Sequence, residues 1–190
     1  MLRVRDVIGA VIVLLGIGLL VPAGAQAQNI LGLQHFGDAI DSYMALRQDV
    51  EHRVGVPYAT TNVTDIDPMQ AALWYGIRQA RSSAKVGDIF TPGVAVEFRR
   101  RINRAIDLRA EFDGSFMIDA RRATAAAACR PAVNGSFDWR FGAMMPVDIM
   151  AVLPDLPWPL QYRFVCRDLV LLDIDAGLIV DVLPDALTAE

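Results

Sequence analysis

Cys129 and Cys166 are the two residues in this chain with a defined joint chemistry open to them. In an oxidising compartment such a pair forms a disulfide. The loop closed would span about 37 residues and contribute about 3–4 kcal/mol on the chain-entropy view. The alternative is two independent, small apolar side chains. Histidine offers less, because His35 and His52 are the only ones. A Ser-His-Asp triad needs a histidine backed by a buried acid. His35 falls in Leu33-Gln34-His35-Phe36, read as an arm, and His52 falls on the polar side of a helix. Asp49 and His52 are three apart on one helix face, a spacing that can chelate, but two ligands make a poor metal centre. Asp173-Ile174-Asp175-Ala176-Gly177 opens like a calcium loop, yet lacks the third acid and the closing glutamate. Turn residues between two strands account for it more simply. Lys85 is the one lysine among 18 basic residues and sits in the linker-like Ser82-Ser83-Ala84-Lys85-Val86-Gly87, a poor place for a lysine nucleophile. Asp138, Asp148 and Asp155 could in pairs do glycosidase-type acid/base work. Trp139 and Trp158 could then line a sugar or peptide groove, although part-buried aromatics in a coil are the simpler reading. Nucleophile-elbow, HExxH, phosphate-loop and CxxC motifs are all missing from the sequence. The sequence therefore assigns no catalytic, cofactor-binding or metal residue. It offers one candidate disulfide, Cys129 with Cys166.

What must position these residues begins after a leader. Arg3 and Arg5 precede an apolar run from Val7 to Val21, which Pro22 breaks; Ala25-Gln26-Ala27 then supplies small residues at cleavage spacing. Residues 1–27 read as a signal peptide and 28–37 as a flexible N-terminal arm. Residues 38–186 read as a single domain, and export places it in the periplasm or outside the cell. No later stretch is apolar enough to span a bilayer, so no membrane span is expected after cleavage. The net charge is −4 over 190 residues and no basic tail is present, which argues against nucleic acid as a partner.

Apolar spacing predicts a helix over 38–54, with Ile40, Tyr43, Met44, Val50 and Val54 on one face. Arg47 and Glu51 share that face and read as an ion pair at the edge of the core. Asp67-Pro68-Met69-Gln70 is a helix start of the capping-box kind, and that helix runs to about Arg81. Thr91-Pro92 opens a third, with Val94, Phe98, Ile102, Ala105 and Ile106 as its buried stripe. Arg99 and Arg101 border the stripe, Arg100 and Arg104 face solvent, and Glu97 neutralises part of the run. Residues 116–128 and 146–153 suggest short helices, and Asn134-Gly135 a turn. From Gln161 the period changes to strands: 161–167, 169–174 and 178–183, joined by short turns. The expected fold is α+β, three to five helices followed by a C-terminal antiparallel three-stranded β-meander. Leu169 to Leu172 does not alternate, so its strand should be the middle one. Helices should cover one of its faces and the proline-rich coil of 154–159 the other.

Gly87-Asp-Ile-Phe-Thr-Pro-Gly-Val-Ala-Val-Glu-Phe-Arg-Arg-Arg-Ile102 and the segment Leu160 to Asp185 resemble a group of uncharacterised exported bacterial proteins with no assigned activity. The last strands also resemble the C-terminal hairpin of periplasmic nickel/cobalt-homeostasis regulators. The resemblance brings no metal ligands. It implies a glycine where Cys166 stands, and hence a turn with positive φ, at which cysteine costs about 1 kcal/mol. The function expected is an exported, non-catalytic envelope accessory or binding domain, its partner an envelope protein or small ligand. The alternatives are a periplasmic hydrolase using paired carboxylates and a metal-responsive periplasmic protein.

Overall fold

The computed structural model describes residues 23–55, 66–110, 130–138, 142–143 and 145–187. Helix α1 (Ala23–Val54) starts well before Asp38 and runs through 28–37, where the sequence suggested a flexible arm. The stripe of Ile40 and Tyr43 continues upstream through Leu33 and Phe36, and Phe36 is 2% exposed. Its ring lies 6.1 Å from Phe90 and 5.0 Å from Phe98. A helix propagates where such a side chain gains burial, whatever its local start signals. Helix α2 (Ile66–Ala80) starts one residue before Asp67, which therefore lies inside the helix and not at its cap, whereas α3 (Pro92–Ala110) starts where Thr91-Pro92 placed it. Leu73 and Ile77 of α2, and all five stripe residues of α3, are buried. A short helix α4 (Val147–Met150) follows, its first turn accepted by the Pro146 carbonyl. The suggested helix over 116–128 lies outside the described residues.

The predicted meander is present. Strands β2 (Leu160–Val165), β3 (Asp168–Asp173) and β4 (Leu178–Leu183) pair antiparallel in sequence order. Strand β1 (Gly142–Ala143) adds two residues to the edge of β2, too few to leave a pattern in the sequence. The fold is therefore α+β, with four helices and an antiparallel sheet among the described residues.

Alternate side chains of β3 enter two cores. Leu169 and Leu171 join the helices, whereas Val170 and Leu172 face a second cluster with Ile179, Val182 and Phe137. The cover on that second face comes from 133–137, not from 154–159. Asn134 and Phe137 donate to the carbonyls of Ile179 and Gly177, and Ile179 donates to Gly135. These bonds satisfy the outer edge of β4, and they carry Val133 and Phe137 over the sheet. Leu153 and Leu156 instead pack on the helical side, and Tyr162 donates to the Pro154 carbonyl at 3.1 Å. A bulge between Leu171 and Leu172 interrupts the β3–β4 register. It leaves Val180 and Leu183 in the helical core and Ile179 and Val182 in the second cluster.

Candidate functional site

Three buried charged centres tie the helices to the sheet and to the segment after α4. The first is Arg47, 6% exposed on the apolar face of α1. Its Nε donates to Asp173 Oδ2 at 2.7 Å and its Nη2 to Asp175 Oδ2 at 2.9 Å. Its Nη1 donates to Glu51. Tyr43 Oη donates to the same Asp173 oxygen at 2.7 Å, and the Ala176 N–H to the other at 3.0 Å. The sequence reading of an edge pair is thus corrected. Arg47 is interior, and three carboxylates divide its fork. Burial works against its charge, but Asp173, Glu51 and Asp175 outweigh it and raise its pKa. Burial, reinforced by the Asp173 charge, pushes the Tyr43 phenol well above its ordinary value, so it stays a donor. Burial also raises Asp175, against the pull of Arg47. The guanidinium of Arg81 lies 5.2 Å from the Tyr43 ring and donates to the Val180 carbonyl at 3.1 Å.

The second centre is Asp181 on β4, fully buried. Its carboxylate accepts the backbone N–H of Gly87 at 2.9 Å and those of Ile89 and Phe90 at 2.7 Å. It therefore fixes the loop that enters α3. The third is Glu97, 1% exposed on α3. It accepts Nε and Nη2 of Arg100 at 2.8 and 2.6 Å, and Nε of Arg101 at 2.6 Å. The Arg100 hydrogen bonds, with help from Arg101 and against burial, hold its carboxyl below its ordinary value. Arg101 Nη1 reaches across to the Val152 carbonyl at 2.9 Å, so this centre joins α3 to the segment after α4.

Above that junction lies an open groove of about 370 Å³, walled by Arg100, Arg101 and Arg104 and floored by Ala105, Val152 and Leu153. Leu108 at its end is 54% exposed. On α4, which leads into the groove residues 151–153, Val147 and Met150 are 69% and 53% exposed. A second, more polar cleft of about 460 Å³ runs between Arg78, Gln79 and Ser82 and residues 132–135.

Among the described residues, the histidines, aspartates, lysine and tryptophan singled out from the sequence do not converge on one site. Cys166 occupies the β2–β3 turn at φ 57, the positive-φ position implied by the resemblance; Cys129 and Trp139 lie outside the described residues. His35 and His52 are exposed on α1, and Asp49 pairs with Arg53 at 3.0 Å. Lys85, Asp148 and Asp155 are exposed, and Trp158 is 71% exposed. Asp173 serves Arg47 from the end of β3 and Asp175 from the β3–β4 turn, where Gly177 adopts φ 60. Among the described residues, no group of three His, Cys, Asp or Glu side chains is placed to hold a metal ion. The centres at Asp173 and Asp181 had a signal in the sequence: a carboxylate inside an apolar strand, and an arginine on an apolar helix face, each need a partner. Comparison with protein-family models, curated proteins and solved structures gave no match.

Proposed function

We propose that this protein is exported and acts in the periplasm or outside the cell as a non-catalytic binding domain. The observation that carries the reading is the division of labour among its polar groups. The buried carboxylates Asp173, Asp181 and Glu97 are saturated by arginines or backbone N–H groups that hold the fold. Leu108 in the groove, and Val147 and Met150 on the short helix that leads into its residues 151–153, are instead exposed to solvent. Large apolar side chains left exposed at or near a groove are a usual mark of an interaction surface. The leader supports export, and among the described residues no helix is long and apolar enough to cross a membrane. A Cys129–Cys166 disulfide belongs to the same proposal: protein purified from the envelope then has no titratable thiol after denaturation, and two thiols would remove this part.

A photo-crosslinking amino acid placed at Met150 in producing cells tests the reading. A discrete adduct is expected from Met150 and not from Tyr75, which is 60% exposed on α2. Equal labelling from both positions, or from neither, overturns the binding-domain reading. Intact mass of envelope protein tests export: a chain starting at Gln28 or Gln26 is expected, and recovery of all 190 residues refutes cleavage.

A further inference from the structure

Building on that binding-domain reading, we infer that the α3–α4 groove takes an acidic, amphipathic helical segment of a partner protein. The chain is net negative, at −4, yet among the described residues the groove wall is made of three arginines and no carboxylate lines it. Glu97 lies beneath, its side chain 2% exposed, and shares one negative charge between Arg100 and Arg101. With Arg104 the wall keeps an excess of positive charge. Asp107, three positions after Arg104 and on the Arg100 side of α3, offsets part of that excess from outside the lining, away from Ala105 and Leu108. An acidic partner therefore complements this face, and a basic one is repelled.

The arginines are also arranged in advance. Arg100 is held through Nε and Nη2 by Glu97. Arg101 is held by Glu97 and by the Val152 carbonyl. A guanidinium has five N–H donors, so each keeps donors free for an incoming carboxylate. Side chains already fixed lose little entropy on binding. The apolar contribution comes from Leu108, Ala105, Val152 and Leu153, which line the groove, with Met150 exposed one residue before its Ala151. Carboxylates beside a stripe of apolar side chains match this layout when they project from one helix, the helix-in-groove mode. The concavity favours this occupant over a bilayer, which needs apolar side chains standing out from a flat or convex surface.

The test uses fluorescence anisotropy on the protein as purified from the envelope. The probe is a labelled synthetic helix of about 18 residues with leucine on one face and glutamate on the other; its twin carries lysine for glutamate. The glutamate helix is expected to bind about tenfold tighter than the lysine helix, and to weaken as salt rises from about 50 to about 300 mM. Arg104→Glu should abolish that preference without moving the melting temperature, because the side chain is exposed on the groove wall. Leu108→Ser should weaken both helices. Equal binding of the two helices, an unchanged preference in Arg104→Glu, or no binding of the glutamate helix overturns the inference. Sedimentation with phosphatidylglycerol vesicles while the glutamate helix fails assigns the face to a membrane instead. If the Met150 adduct persists while the helix fails, the binding-domain reading stands and only this partner chemistry falls.

Discussion

Arg47 shows how much one buried side chain can organise. Its fork joins Glu51 on its own helix to Asp173 and Asp175 at the end of β3, so α1 cannot leave the sheet without stranding charge. Removing one partner of a buried pair is costly because the other stays buried and uncompensated. Asp173→Ala is expected to cost about 3–5 kcal/mol. Tyr43→Phe, which removes one hydrogen bond to the same oxygen, should cost about 1 kcal/mol. Urea denaturation of both variants measures this order; equal costs would show that the charge of Asp173 adds nothing beyond a neutral acceptor. Cys166 is a second residue-scale case. It holds φ 57 in a two-residue turn, a conformation that suits glycine. In a Cys129→Ala background, which removes any disulfide, Cys166→Gly should stabilise by about 1 kcal/mol. A loss of stability in that background would mean that the cysteine side chain packs favourably enough to outweigh the strain.

At the scale of elements, the close approach of α1 and α2 depends on Gly76. A Cβ built there would stand 2.5 Å from Val50 Cγ1 and 3.3 Å from Val54 Cγ1. The helices can separate only by opening the contacts of Val50, which is 1% exposed. Gly76→Ala is therefore expected to destabilise by about 1–3 kcal/mol, despite the better helix propensity of alanine. In a Val50→Ala chain, which vacates the clashing methyl, Gly76→Ala should be close to neutral. Thermal unfolding of the four chains gives the coupling; additive effects would place the cost elsewhere than in the Val50 contact.

For the whole molecule, acid sensitivity follows from the balance of carboxyls whose pKa values are shifted in opposite directions. Glu97 has a depressed folded pKa, so its contribution is fully present above its ordinary 4.5 and is lost as pH falls through the lower folded value. Asp168 and Asp175 have raised folded pKa values, mainly through burial. Their contribution is fully present below their ordinary 3.8 and is lost as pH rises through the folded values. The two kinds oppose one another across the acid range. Glu97→Gln is expected to shrink the loss of stability between about pH 6 and about pH 3, and Asp175→Asn to steepen it. Melting temperatures across that range check both signs, and parallel curves for all three chains would contradict the assignment.

The sequence by itself determined α2, α3 and the three C-terminal strands, and their order. Helix starts near Pro68 and at Pro92, the α3 stripe, the strand runs and the turns at Asn134 and Gly177 are local signals, set by backbone conformation and by periodicity. The non-alternating run Leu169–Leu172 already announced a strand covered on both faces, and the structure buries both. Tertiary structure decided the rest. Whether α1 extends back through Phe36 depended on rings from Phe90 and Phe98, more than fifty residues away. Which segment covers the second sheet face depended on edge hydrogen bonds of β4 that no local pattern encodes. The charged centres and the groove belong to the same class. Arg47 meets Asp173 across 126 positions, and Arg101 meets Val152 across 51. Residue types showed that such charges needed partners; only packing in three dimensions selected which partners, and left Arg104 and Leu108 facing outward beside α4.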